Sequence, residues 1–334
     1  MQNHDVGTPV FYTNTIEYLI AVGSEISIAD ETNYSKSLYY TLPVDMSNQT
    51  GAYNSHGDTA IRFNGFQRAF SGNNFIAVLG HENGGQKIQF RGKLTNDSEE
   101  DFYSNYSIDP YVNSGTPAST GFSIPSDGWS MWRDGNIDFS EFKELGIKMM
   151  LAGYSRNYGS VIFGNYYTMP HSPDINVKMT WEMDGAKSSR TKAGTELTGF
   201  KYIRSPNWGS LGAWELLSVD AGEANSLTRQ GRRIWDISYS QLSSSDVFPN
   251  LANLNYEGSA YNSTTVVGNN LFGGNSFYGD VLERTLGGKL PFIFQPNSDN
   301  KNPDQFAICK LDNVKFDQVA NGVYKCNISV REVW

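Results

Sequence analysis

Cysteine and histidine are scarce in this chain, and long apolar runs are missing. Two cysteines in 334 residues, Cys309 and Cys326, cannot build a disulfide framework, and alone they cannot make a zinc site. Both fall on expected strands, where two free buried thiols are the expectation and a bridge is the alternative. Four histidines leave little for metal binding or proton transfer. Apolar runs such as FIAVL and YLIAV reach about five residues, against the roughly 20 that a membrane-crossing helix needs. Positive charge is also short: 26 Lys and Arg face 35 Asp and Glu, for a net charge of −9. That balance argues against the basic face of a nucleic-acid binder. The N-terminal MQNHDVGTP lacks the apolar core of a secretory leader, so synthesis and assembly in a cytoplasm are expected.

What the chain has is glycine and aromatics: 33 Gly, 19 Tyr, 19 Phe and 7 Trp. With many turn residues, this is the profile of a β-rich protein. The clearest stretch is GRRIWDISYSQLSSSDVFPN, Gly231 to Asn250. Trp235, Ile237 and Tyr239 fall on one face and Asp236, Ser238 and Ser240 on the other, the period of a half-buried strand. Arg232 and Arg233 stand at its start, where their stems pack and their heads pair. SSSD then breaks the strand. Further on, SFYGDVLERTLGG places Tyr278, Leu282 and Leu286 at i, i+4 and i+8, with Phe277 and Val281 beside them. A short amphipathic helix is expected there, stopped by Gly287–Gly288. KLPFIFQP, DQFAICKL and NGVYKCNISVREVW follow as strands, the last with Tyr324, Cys326, Ile328 and Val330 on one face.

Earlier in the chain, Asn14 or Thr13 caps a short helix with Glu17 near its third position and Ile16, Leu19 and Ile20 on its apolar side. This segment is either an arm or a lid. Residues 31–60 read as loop. NNFIAVLG reads as a buried strand, and GQKIQFRG, GIKMMLAGY and GSVIFGNYYTMP as further strands. Residues 95–120 read as a long polar insertion. DINVKMTWEMDG alternates Val177, Met179, Trp181 and Met183 against Lys178, Thr180 and Glu182, and Asp184–Gly185 signals a hairpin turn. Trp208 and Trp214 mark a packed connecting segment. No internal repeat is visible.

Candidate chemistry is thin. His81–Glu82 lies in HENGG and lacks the spacing of a zinc protease, so a strand-end histidine capping a turn is expected. His171 in MPHSPD is expected to fix its turn by hydrogen bonding, and His56 has no visible partner. Glu99, Glu100 and Asp101 read as a solvated acidic run rather than the two flanking carboxylates of a glycosidase. The oxygen-rich loop 295–306 departs from the calcium-loop pattern. No catalytic, cofactor-binding or metal-binding residue is expected, and no cofactor. Tyr106, Trp129 and Trp132 fall in expected loops and are the candidates for facing a ligand, since aromatic platforms stack on sugars and also anchor interfaces. Arg232, Arg233, Trp235, Tyr239 and Trp334 are the candidates for packing or interface. A chain ending on Trp after an alternating strand suggests that the last residues are tied down, and a role at a subunit boundary is expected.

The order RRIWDISYSQL, DVFP, a short helix, GGKLPFIFQP, NPDQFAICKL and VANGVYKCNISVREVW resembles virion tail proteins of tailed bacteriophages, of the distal-tail or baseplate-associated or minor tail class. TPVFYTNTIEYL, NFIAVLGHE, YYTMPHSPD and SPNWGSLGAWEL extend the resemblance upstream. The strand pattern around FIAVLGHE resembles galactose-binding-type modules. Together these imply a mainly β chain. Residues 1–30 are an N-terminal arm with a short helix, and 31–190 an antiparallel β-sandwich of jelly-roll or galactose-binding-like character. Residues 191–227 connect it to a C-terminal β-rich α+β tail-type domain at 228–334. The resemblance implies a non-enzymatic virion component assembled in the host cytoplasm. Its expected partners are copies of itself in a trimeric or hexameric ring, other tail proteins and a host surface glycan. A carbohydrate- or receptor-binding module is the alternative, and a glycan-cleaving enzyme a weaker one.

Overall fold

The computed structural model describes residues 5–23, 26–28, 39–42, 50–51, 58–63, 70, 73–82, 84–94, 108–118, 121–134, 139, 142–149, 156–157, 159–183, 186–200, 207–208, 211–212, 214, 216, 231–249 and 275–334. In chain order the first strands are β1 (Val10–Asn14), β2 (Ile26–Ile28), β3 (Thr50–Gly51), β4 (Asp58–Phe63), β5 (Asn74–His81), β6 (Lys87–Leu94), β7 (Ile108–Val112) and β8 (Pro117–Ala118). Next come β9 (Gly121–Ser123), β10 (Gly128–Asp134), β11 (Phe142–Met149), β12 (Arg156–Asn157), β13 (Ser160–Thr168), β14 (Lys178–Glu182), β15 (Ala186–Arg190) and β16 (Glu196–Phe200). The last are β17 (Asn207–Trp208), β18 (Leu211–Gly212), β19 (Arg232–Ser243), β20 (Phe292–Gln295), β21 (Ala307–Ala320) and β22 (Val323–Glu332). The helical segments include α1 (Thr15–Ala21), α2 (Ser244–Val247), a π-helical turn, Tyr278–Glu283, and a 3-10 turn, Pro303–Gln305.

The chain is mainly β, built from large antiparallel sheets. One sheet has ten strands in the order β14-β19-β22-β21-β20-β1-β13-β5-β10-β7, and a second has six, β2-β4-β11-β6-β9-β8. The ten-stranded sheet draws on the expected arm, the expected first domain and the expected C-terminal domain alike. β1 sits in its middle, paired with β20 on one side and β13 on the other. The terminal strand β22 is likewise interior, between β19 and β21. Both of its edges are therefore paired within this sheet.

Period two places the cores. Along β13, Val161 and Phe163 join one apolar cluster with Ile76, Val78, Ile88, Phe90, Leu145 and Ile147, so side chains of both sheets meet there. Further along the same face, Tyr167 and Met169 join a second cluster with Trp235, Ile237, Tyr239, Phe292 and Phe294. A third cluster, with Tyr12, Phe75, Trp129, Met131 and Phe306, lies on the opposite face of the ten-stranded sheet.

Several expectations are corrected. Trp129 and Trp132 are fully buried, not in loops: β10 pairs on both sides and sends them into opposite cores. Because both faces of β10 are covered, its sequence shows no polar alternation, and the flanking Asp–Gly pairs mimic turns. Tyr106 lies outside the described residues, as do His56, the run Glu99–Asp101 and the Asp184–Gly185 turn. Within the expected polar insertion, β7 is an outer strand of the ten-stranded sheet. The strand before Asp184–Gly185, β14, pairs with β19, while β15 pairs with β16. Trp181 on β14 and Met183 just after it are 36% and 48% exposed, and β14 is the last of the described strands in the order of its sheet. The segment at 277–286 buries Phe277 and Val281, while Tyr278 and Leu286 are exposed. Of the expected row Tyr278, Leu282 and Leu286, only Leu282 packs against the core.

Candidate functional site

Among the described residues, three polar clusters are each centred on an arginine. The first lies where β19 begins. Arg233 shares the inward face of the strand with Trp235, so its guanidinium is carried inside. It meets Glu332 of β22 in a two-pronged pair, Nε to Oε2 at 3.0 Å and Nη2 to Oε1 at 3.1 Å, with both side chains only 8% exposed. The remaining donors go to the carbonyls of Asp304 at 2.6 Å and Phe306 at 2.7 Å. Next to it, Arg232 stacks over the Trp334 ring at 4.5 Å and donates to the Trp334 carbonyl at 3.0 Å. The C-terminus is therefore tied to its own chain. Tyr239 is buried farther along, edge-on to His171.

The second place is a seam between the two cores that share one face of the ten-stranded sheet. On β13 it is marked by Asn165, a buried polar residue between Phe163 and Tyr167. The Thr15 hydroxyl donates to Asn165 Oδ1 at 2.7 Å, Asn165 Nδ2 to Asn74 Oδ1 at 3.3 Å, and the Thr13 hydroxyl to the carbonyls of Asn165 and Asp280, both at 3.1 Å. Arg284 follows the π turn, fully buried, with Nη1 3.3 Å from Thr15 Oγ1 and Nε 3.6 Å from Asp280 Oδ1. Burial pushes the Asp280 carboxyl up to about 6, against the pull of Arg284. Burial also lowers the guanidinium to about 10, which leaves it a cation at neutral pH. The sequence-expected cap is present: Asn14 Oδ1 accepts from Glu17 N at 3.1 Å. Glu17 is itself buried, and its carboxylate accepts from Thr41 N at 2.9 Å. Desolvation raises the Glu17 carboxyl.

The third place is Arg133 on β10. Its guanidinium lies 3.8 Å from the Tyr111 ring centroid, 4.5 Å from Tyr166 and 5.1 Å from Tyr12, a cage of aromatic faces around a cation. It donates to the Tyr12 hydroxyl, which in turn donates to Gln295 Oε1 at 2.7 Å. Lys301 lies 4.5 Å from the Tyr111 ring. Four strands, β1, β7, β10 and β13, and the end of β20 converge on this one side chain.

His81 is the nearest approach to catalytic geometry. It is buried, with Nε2 2.7 Å from Ser130 Oγ. The Ser130 hydroxyl already donates to the Asn113 carbonyl at 2.7 Å, so the imidazole must donate to the serine rather than accept its proton. Burial also lowers the His81 pKa to about 3, which keeps the ring neutral. The pair thus holds β10 to β5 and to the turn at Asn113. His171 does what the rigid MPHSPD turn requires, with its ring nitrogens 2.7 Å from the Ser172 carbonyl and 3.0 Å from that of Gln241. Cys309 and Cys326 are buried free thiols. Among the described residues, no group of three or more His, Cys, Asp and Glu gathers as a metal site. None of their helices is long and apolar enough to cross a membrane.

No protein-family model matches this chain, and no curated protein matches it.

One surface cleft stands apart from these interior clusters. It spans about 220 Å³ on the outward face of β14, β19, β22 and β21, lined by Lys178, Asp236, Ser238, Asn313, Asn327 and Ser329. Ser329 Oγ donates to Asp236 Oδ1 at 2.8 Å within it. Of the residues singled out from the sequence, Arg233 and Trp235 are brought together, with the guanidinium 5.2 Å from the ring, and Arg232 and Trp334 form the adjoining stack. Arg133, Asp280, Arg284 and Glu332 were missed. Only Asn165 had a legible signal, a polar residue on an otherwise apolar period-two face.

Proposed function

We propose that this chain is a non-enzymatic structural component of a bacteriophage tail, a distal-tail or tail-tip and baseplate ring protein built in the host cytoplasm. The observation that carries the reading is where the buried charge goes. Arg133, Arg233 and Arg284 each join segments far apart in sequence, and together they bind both ends of the chain into one long sheet. For the buried pairs Arg233–Glu332 and Arg284–Asp280, removing either partner is far more costly than replacing both, so these two clusters favour one rigid arrangement. A rigid, edge-bearing sheet suits a building block. The core shared by the two large sheets supports an N-terminal β-sandwich, jelly-roll or galactose-binding-like, and the strands after residue 228 support a tail-type C-terminal unit joined to it through the common sheet. The test is the native mass of the purified chain by sedimentation velocity, with particles viewed by negative stain. Trimeric or hexameric rings are expected, and a monomer at every concentration up to about 100 µM would refute the assembly role.

A second reading, a glycan- or receptor-binding surface, is favoured by the cleft on β14, β19, β22 and β21, where Ile237 and Ile328 line it beside the polar groups. Its Asn, Ser, Asp and Lys groups match sugar hydroxyls, although Trp129 and Trp132 are unavailable as stacking platforms. Soluble sugars that raise the melting temperature of the wild-type chain but not of Asn327→Leu would support this reading.

A further inference from the structure

β21 outruns its neighbour on one side. β20 pairs with it only over residues 307–309. Gly288 then lies so close that a Cβ on it would sit 2.5 Å from Leu311 Cβ. Farther along, among the described residues, no strand pairs with this side of β21, while β22 follows its other side as far as Ala320. The backbone groups along the open side are an edge to which another strand can add. The register against β22 shifts between Leu311 and Asn313 and again between Gln318 and Ala320, which leaves 313–318 as a regular ladder. That stretch is held in place. Ser244 N donates to the Gly322 carbonyl at the tip of the hairpin at 2.9 Å, and the Phe316 ring lies 5.6 Å from Phe248 and 6.1 Å from Phe277. An edge fixed in this way loses little entropy when it pairs.

The order of its side chains identifies the partner. Val314 and Phe316 pack against the second core cluster, whereas Lys315 and Asp317 alternate with them and are exposed. Within the hairpin Asp317 stands opposite Lys325, but Lys315 stands opposite the neutral Asn327. Charges on an edge normally repel a neighbour, yet here their order is its own complement. Antiparallel pairing of the stretch with itself, about a two-fold axis at Phe316, sets Lys315 opposite Asp317 of the second copy and Asp317 opposite that copy's Lys315. Opposite charges directly across an antiparallel pair stabilise it, and like charges weaken it. Centring the axis on Lys315 or Asp317 instead would set like charges face to face. A slip of one residue would match the apolar face of one copy to the polar face of the other. Only the register at Phe316 satisfies both rows. The contact is isologous, the same patch used twice.

We propose that residues 313–318 of β21 are a homotypic docking edge: two copies of this chain join there antiparallel about Phe316, with Lys315 and Asp317 paired across the junction. This goes beyond the ring reading, since a two-fold contact joins chains in pairs and does not close a ring of three or six. The test is sedimentation velocity of the full chain from about 1 to 100 µM. Wild type is run beside Lys315→Asp, Asp317→Lys and an equal mixture of the two variants. Wild type should form pairs, or paired rings where rings also form. Each single variant sets like charges opposite each other and should weaken the pairing by about tenfold or more. The mixture should restore it, because the all-acidic edge of one variant then meets the all-basic edge of the other. Both side chains are exposed, so dilute variants should melt close to wild type. A wild type that stays monomeric refutes the docking edge and the ring reading together. Rings without pairing, or pairing that survives both single changes, refute the edge and leave the ring reading standing. Pairs without rings support the edge and remove the ring reading. A mixture that stays unpaired refutes the proposed register and the proposal with it. Should a variant fail to fold, carboxyl–amine cross-linking of mixed ¹⁴N and ¹⁵N wild-type chains decides. Lys315 linked to Asp317 of the other isotope supports the edge, and links within one isotope only refute it.

Discussion

Consider the Arg233–Glu332 pair. Glu332→Gln removes the negative charge, sets an amide NH2 where a carboxylate oxygen accepted, and leaves a buried guanidinium with only neutral acceptors, the Gln carbonyl and the carbonyls of Asp304 and Phe306. Arg233→Met leaves a buried carboxylate and strips those two carbonyls of their donor. Each single change should cost about 3–5 kcal/mol, the usual result of stranding one partner of a buried pair. The double variant Arg233→Met, Glu332→Leu strands no charge, and Met fills much of the volume beside Trp235. It should cost well under the sum of the singles, so the coupling should exceed about 2 kcal/mol. The assay is urea unfolding at pH 7, followed by both tryptophan fluorescence and far-UV circular dichroism and interpreted where the two transitions coincide. With a slope of about 3 kcal/mol per molar urea, a 3 kcal/mol loss moves the midpoint by roughly 1 M. If the two single losses simply add to within about 0.5 kcal/mol, the groups do not act as a pair, and the account of this corner of the sheet is wrong.

His81 should make the fold acid-sensitive. Its folded pKa is lowered to about 3, so the unfolded chain binds the proton more tightly, and stability drops as pH falls from about 6.5 toward 3. The slope should approach 1.4 kcal/mol per pH unit and be reduced in His81→Gln, as read from urea midpoints across that range; an unchanged slope would place the ring in solvent. Trp235→Ala removes a fully buried ring that packs 5.2 Å from Phe294 and should cost roughly 3–5 kcal/mol in the same urea assay, whereas wild-type stability would mean that the inner face of β19 is not core. Gly164→Ala would set a Cβ 1.9 Å from the Thr13 carbonyl oxygen, so it should spread β1 from β13 and lower the melting temperature by several degrees; an unshifted melt would contradict the register of those two strands.

What the sequence determined by itself is local. Alternation along Arg232–Ser243 put Trp235, Ile237 and Tyr239 inside and left Asp236 and Ser240 outside, because a strand's side-chain period is set by its own backbone. Asn14 and Glu17 announced the start of α1, and Gly287 and Gly288, at φ 68° and 86°, the stop after the π turn, because caps and left-handed positions are chosen by the residues that occupy them. Which strands adjoin is a different matter. That β1 lies between β20 and β13, that Arg284 meets Thr15 from 269 residues away, and that Trp129 and Trp132 are buried on opposite faces of β10 are outcomes of long-range pairing. A strand covered on both faces loses its polar alternation, and a buried charge finds its partner only once the sheet brings it there. Those choices belong to the tertiary structure, because the free energy that selects them arises between segments that the chain order does not place together.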